Sequence, residues 1–160
     1  MAGKIGGYSN SIRITPTITA GAYSADDALG NEMELDFGVK TIGTWDAYTL
    51  QSVSLVDKGK QDAEIDVLFF DASVTPASDN AAADFTDAQL AANFLGIVTI
   101  SGSDYGDLND NSVATVKNVG LQLRPVDGTG SIYAYAVTRG TPTYTSTTDL
   151  VFKFDVIADL

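Results

Sequence analysis

The chain has 160 residues, of which 44% are hydrophobic and 19% are charged. This composition is typical of a folded globular domain and excludes a disordered chain. Nine Lys and Arg against 21 Asp and Glu give a net charge of −12, and the chain has neither Cys nor His. The charge argues against nucleic acid and membrane surfaces as partners, and the two missing residue types exclude disulfides, thiolate nucleophiles and histidine bases.

The first residues predict an extension ahead of the folded part. Residues 1–11 are rich in Gly and polar residues, which predicts a flexible N-terminal arm before a single domain over residues 12–160. Lys4 and Arg13 are the only charged residues before Asp26, so the arm is basic on an acidic protein. No apolar run of signal-peptide length occurs here, which indicates synthesis in the cytoplasm without Sec export.

The first predicted strand leads into an irregular stretch. Isoleucines alternate with Arg and Thr between residues 11 and 19, a period typical of a β-strand. Pro16 cannot donate to a ladder and therefore marks an edge strand or a bulge. Gly21 permits a change of direction, and residues 24–27 have the spacing of a short cap.

Three further strands differ in their expected surroundings. Residues 32–37 alternate between acidic and apolar, as in an antiparallel strand with one face in water. In residues 47–57 the apolar positions change phase, which predicts a bulge near Gln51 and Ser52. The continuous apolar run Val67 to Phe70 predicts a central strand that is covered on both faces.

One segment has the signals of a helix. Thr86 and Gln89 form a capping-box pattern ahead of residues 87–95. Gly96 then stands where a glycine commonly ends a helix. The pattern predicts one short helix over residues 87–95.

The remaining strands complete an all-β fold. Strand patterns cover residues 96–101, 112–123, 131–139 and 149–157. The turn-forming residues 127–130 predict that residues 131–139 pair back on residues 116–123. Together the strands predict an all-β protein, an antiparallel β-sandwich or jelly-roll-like fold with one short helix near 87–95.

A polar loop after the fifth predicted strand resembles part of a calcium loop. From Asp107 the sequence reads D-x-N-x-N, which supplies oxygen ligands at positions 1, 3 and 5. The match then departs from the motif, because Ser112 replaces the usual Gly and Asn118 the usual Glu. An ordinary polar turn is the alternative, since Asp and Asn bond their own backbone. The candidate Ca²⁺ ligands are Asp104, Asp107, Asn109 and Asn111.

Two other patterns allow a different class of function. Aromatic residues could form the stacking platform of a carbohydrate-binding module, or they could pack in the core. Glu64 and Asp66 share one strand face, as the acid pair of a glycoside hydrolase would, but paired carboxylates are also common at solvated strand ends. We predict no enzymatic activity. The aromatic candidates are Trp45, Tyr48, Tyr133, Tyr135 and Tyr144.

Several segments resemble a recurrent family of tailed-phage virion proteins. The resemblance covers residues 12–101 and is strongest in the entry over residues 15–30 and the acidic segment over residues 84–96. The matching segments are "TPTITAGAYSADDALG", "MELDF", "TLQSVSLVDK", "AEIDVLFFDA", "DNAAADFTDAQLAANFLG" and "GIVTIS".

The resemblance implies a structural role in a virion. Members of the family are similar to head decoration, or cement, proteins, which implies the major capsid protein as partner, self-association as a trimer and a location on the head surface. It transfers no catalytic residues. Alternatives are a head-fibre base, a tail or baseplate component or, from another class, a calcium-dependent carbohydrate-binding module. The expected capsid-binding residues of the arm and first strand are Lys4, Ile5, Tyr8, Arg13 and Ile14.

Overall fold

The computed structural model describes residues 8–36, 47–125 and 131–159. These residues form nine strands, one α-helix and one 3-10 turn, Gly102–Asp104. The strands are β1 (Tyr8–Ile14), β2 (Met33–Asp36), β3 (Ala47–Asp57), β4 (Ile65–Phe70), β5 (Phe94–Ile100), β6 (Tyr105–Asp107), β7 (Ser112–Leu123), β8 (Ser131–Thr138) and β9 (Leu150–Asp159), and the helix is α1 (Asp87–Asn93).

Two antiparallel sheets pack together and confirm the predicted β-sandwich. The five-stranded sheet has the order β1-β9-β3-β7-β6, and the four-stranded sheet has the order β2-β8-β4-β5. The predicted pairing of residues 131–139 with residues 116–123 is wrong, because β8 pairs with β2 and β4 while β7 pairs with β3 and β6. The reason is burial: β8 is buried at nearly every position, whereas β7 has many exposed positions and fits a sheet with an open face.

The core lies between the sheets and depends on a bulge in β3. Tyr48 and Leu50 point inward before the bulge, and Val53 and Leu55 point inward after it; all four are at most 1% exposed. The register of β3 with both neighbours shifts between Leu50 and Ser52. The predicted bulge is therefore confirmed, and it allows both sets of side chains to face the core.

Strand β4, in the middle of the four-stranded sheet, is covered on both faces. All six residues of β4 are buried, as the continuous apolar run predicts. On the outer face, Phe70 stacks on Phe85 with ring centroids 5.1 Å apart, and Tyr135 meets Phe85 edge-on at 5.6 Å. Residues 71–85 thus cover this face with a second hydrophobic cluster, which contains Leu68, Phe70, Val74, Tyr135 and Val137.

One carboxylate binds three positions of the stretch after β1. Residues 15–30 form no long strand, and β1 ends before Pro16. The Asp79 carboxylate accepts hydrogen bonds from Thr19 Oγ1 at 2.6 Å, from the Tyr23 hydroxyl at 2.7 Å and from the Gly30 backbone N–H at 2.6 Å. Gly30 has φ +79°, and an added Cβ would lie 2.7 Å from the Cβ of Pro16, so this position requires glycine.

The helix begins as predicted and ends earlier. Thr86 and Gln89 form the capping box, which confirms the predicted start. The prediction that Gly96 ends the helix is wrong, because the helix ends at Asn93 and β5 begins at Phe94. Gly96 instead pairs with Phe69 inside β5, where a side chain would collide with Leu121 of the facing sheet at 2.5 Å. The glycine therefore permits close approach of the two sheets.

Candidate interaction surfaces

The first candidate surface is the edge formed by β1. This strand pairs with β9 over Tyr8 to Ile14 and is the outer strand of its sheet. Within residues 8–36, 47–125 and 131–159, no other strand pairs with it. A strand edge without a strand neighbour is where an added strand of a partner can pair.

Part of the predicted arm lies in a strand. Residues 8–11 belong to β1, whereas Lys4 and Ile5 lie outside the described residues. Arg13 is exposed, as a contact residue must be. Ile14 is half-buried and packs against the hydrophobic core, so its side chain anchors β1 and is not an exposed contact.

The second candidate surface is the outer face of the five-stranded sheet. Val56 lies opposite Val113 on β7 and opposite Val151 on β9, so three valines form a row across the face. Arg13 and Lys153 are paired neighbours in the next row. A groove of about 210 Å³ runs between these residues, and Ser54 and Thr115 also line it.

This outer face is basic, although the protein is strongly acidic. Arg13, Lys117 and Lys153 point outward, and Asp155 is the acidic side chain among them. Asp155 lies 3.0 Å from Lys153 and accepts hydrogen bonds from Ser11 and Ser52. Burial alone would raise the pKa of Asp155, but these donors lower it, so the carboxylate is held ionised by its own neighbours. Neither Arg13 nor Lys117 has an ion-pair partner among the described residues.

Of the four candidate calcium ligands, Asp104, Asp107 and Asn109 are exposed and Asn111 is half-buried. Asp104 lies in the 3-10 turn and accepts a hydrogen bond from the Ser101 backbone N–H at 2.8 Å. Asp107 ends β6 and lies 3.6 Å from Lys60. The Asn111 carbonyl accepts a hydrogen bond from Leu108, which closes a turn that includes Asn109. In the described part of the chain, no three carboxylates converge on one point to hold a metal ion. Calcium binding stays a prediction.

The aromatic residues that could have formed a sugar platform are mainly packing residues. Tyr48, Tyr135 and Tyr144 are buried, and the Tyr135 hydroxyl donates to Glu32 at 2.5 Å. Tyr133 is half-buried, and Trp45 lies outside the described residues. Three of the five aromatic side chains therefore cannot stack on a sugar at the surface.

Of the two carboxylates Glu64 and Asp66, Asp66 forms a structural ion pair. Asp66 is buried, and its two oxygens accept hydrogen bonds from Thr99 Oγ1 and from Arg139 Nε, each at 2.6 Å. Arg139 also pairs with Asp26, and its hydrogen bonds to the two carboxylates raise its pKa above the ordinary value. Glu64 is exposed and lies just before β4. The arrangement ties residues 22–30 to the four-stranded sheet.

A buried polar cluster closes one end of the sandwich. Asp57 and Ser112 are directly opposite each other on β3 and β7 and are both fully buried. Asp57 Oδ2 accepts hydrogen bonds from the backbone N–H groups of Gln61 and Asp62, whereas its Oδ1 has no partner in the described structure. Burial raises the pKa of Asp57, against the effect of these backbone donors. Tyr144 Oη and Ser112 Oγ are likewise buried without partners.

The basic character of the outer face of the five-stranded sheet was not predicted from the sequence. Its residues come from four strands, and which strands are neighbours does not follow from their patterns. A partial signal exists: the outward positions of β3 and β7 carry Val, Lys, Ser and Thr, whereas those of β2 carry carboxylates.

Comparison with known proteins gives no match to any family model, and no curated protein matches the chain. None of the helices in the described residues is long and apolar enough to cross a membrane.

Proposed function

We propose that this protein is a structural component of a tailed-phage virion, a capsid decoration or cement protein. It binds the outside of the head lattice, with the major capsid protein as partner, and stabilises the lattice by added contacts. Two things support the proposal. The first is the resemblance of residues 12–101 to phage virion proteins, and the second is the open edge of β1.

The open edge carries the structural argument. A strand that is paired on one side only can accept a strand from another protein, which provides affinity through backbone hydrogen bonds. Residues 1–7 lead directly into this edge and contain Lys4 and Ile5. The arm and the edge can therefore bind together, as one extended strand, to an edge strand or an acidic surface of the capsid.

The experiment removes residues 1–7 and leaves β1 intact. Purified heads that lack this protein are incubated with the full chain or the deletion variant, and bound protein is measured after the heads are sedimented. We expect the deletion to abolish binding and leave the thermal melt unchanged. A third variant, in which a Gly/Ser segment of equal length replaces residues 1–7, separates the effect of sequence from that of length.

Two different results would contradict two different parts of the proposal. If the deletion variant binds heads as well as the full chain does, the arm is not the anchor. If the full chain binds isolated tails and not heads, the protein is a tail or baseplate component and the decoration role is wrong.

A further inference from the structure

The outer face of the five-stranded sheet is complementary in charge to a second surface of the same protein. We define the basic face as Arg13, Val56, Val113, Lys117, Val151 and Lys153. Val56 is 36% exposed and Val113 is 39% exposed, so apolar side chains lie in water beside cations. Such a surface fits a partner that presents apolar side chains flanked by carboxylates.

The opposite side of the sandwich presents that combination. Leu90, Phe94 and Ile97 are 36%, 41% and 47% exposed. Ile97 pairs with Leu68, which places it on the outer face of the four-stranded sheet. The exposed Asp84 and Asp87 precede them in and before α1. We define these five residues, Asp84, Asp87, Leu90, Phe94 and Ile97, as the acidic patch.

The segment of the chain that contains the acidic patch carries charge of one sign. Residues 61–116 contain ten Asp and Glu and no Lys or Arg. If two copies joined through the same surface, carboxylates would face carboxylates or Arg13 and Lys153 would face their own copies. A contact between unlike surfaces avoids this repulsion. We therefore propose that the basic face of one copy docks on the acidic patch of a second copy.

The geometry of such a contact is heterologous. Because the two surfaces lie on opposite sides of the sandwich, each copy can bind one neighbour on each side, and the contact extends as an open series. This differs from a closed trimer. It rests on the proposed function in one respect only: on a head lattice the same contact would link decoration proteins that are already held side by side.

The contact is expected to be weak in free solution. The basic face offers two exposed valines, one half-buried valine and three cations, and the acidic patch offers three exposed apolar side chains and two carboxylates. Surfaces this small bury less than the roughly 800 Å² per partner of a standard interface. Tethering to a lattice would raise the effective concentration to about the millimolar range. Added salt should weaken the contact, since exposed charges are screened within about 10 Å at 0.1 M ionic strength.

The test uses sedimentation equilibrium of the full chain up to about 1 mM, near the dissociation constant of a weak contact. We expect the weight-average mass to rise continuously above the monomer mass of 16.8 kDa at low ionic strength. About 0.5 M NaCl should return it to the monomer mass. A mass that stays at 16.8 kDa, or that stops at a dimer or trimer, would overturn the proposal.

Charge reversal locates the contact. The variants R13E/K153E and D84K/D87K should each remain monomeric, and an equimolar mixture should associate again, because each variant then offers what the other binds. The variant D107K/D110K carries the same charge change outside both surfaces and should associate at least as strongly as the unmodified chain. Circular dichroism checks that each variant is folded.

If the mixture fails to associate while both variants are folded, the proposed pairing is wrong. This result would leave the proposed function untouched, because capsid binding of the monomer is measured separately. Conversely, failure of the chain to bind heads would not affect self-association in solution.

Discussion

The outer faces of the two sheets differ in what covers them. On the four-stranded sheet, residues 71–85 bury Phe70 and Tyr135 under a second aromatic cluster. On the five-stranded sheet, Val56 and Val113 stay partly exposed beside Arg13 and Lys153. The covered part of a face contributes to stability, whereas an open part with apolar and charged side chains is available to a partner; the acidic patch is such an open part, beside the residues that 71–85 cover. The comparison predicts that substitutions on the two faces have different consequences.

Truncation of a large side chain on the covered face should have the largest effect. Phe70 is fully buried and contacts the rings of Phe85, Phe94 and Tyr135. We expect Phe70→Ala to lower the free energy of unfolding by about 3–5 kcal/mol. The matched substitution on the open face, Val56→Thr, should change it by less than about 0.5 kcal/mol. Urea unfolding of both variants measures the contrast, and equal losses would remove the distinction between the faces.

Removal of an ion pair should also lower the free energy of unfolding, but by less. Arg139→Met leaves the Asp66 side chain, which is 10% exposed, without its cation. We expect a loss of about 1–3 kcal/mol, between the values for buried and exposed pairs, because Arg139 itself is partly exposed. Lys153→Met on the open face should cost less than about 1 kcal/mol, since Ser11 and Ser52 still bind Asp155. A larger loss for Lys153→Met, again from urea unfolding, would contradict this order.

Two adjacent residues of β3 show the difference between an exposed and a buried position. Val56 points to water, and the next residue, Asp57, is buried with one carboxylate oxygen unpaired. Because its pKa is raised in the folded protein, its protonated form is favoured by folding. The protonated Asp57 side chain therefore stabilises the fold at pH values below 3.8, the ordinary pKa of this carboxyl group. This contribution is lost as the pH rises through the folded-state pKa.

Asp57→Asn should remove this pH dependence. Asn keeps an acceptor for the two backbone N–H groups and carries no charge, so we expect the variant to be about 1 kcal/mol more stable than the unmodified chain at neutral pH. The difference should shrink as the pH falls towards the ordinary carboxyl value. Unfolding free energies of both chains over a pH series check this, and a difference that does not vary with pH would show that burial of the charge is not the cause.

Local features were predictable because their signals are local. The capping box at Thr86 and Gln89 and the bulge between Leu50 and Ser52 follow from short-range patterns, and both are confirmed. The pairing of β8 was predicted wrongly, because a turn signal at residues 127–130 says nothing about which sheet receives the next strand. Gly96 was misread for a related reason, since its role depends on Leu121, which is distant in sequence.

The candidate surfaces were predictable only in part. Arg13 was expected to be a contact residue from its position beside the arm, and it is exposed. The row of Val56, Val113 and Val151 was not expected, because three strands that are far apart in sequence must first become neighbours. Surfaces of this kind depend on topology, and topology was the weakest part of the sequence prediction.

The most direct test of the proposed decoration role is an electron cryo-microscopy reconstruction of the virus particles to which the proposal assigns this chain. The proposed role predicts many copies on the outer surface of the head lattice, with β1 and residues 1–7 against the major capsid protein. A handful of copies at the tail, or no copies on the particle, would contradict it.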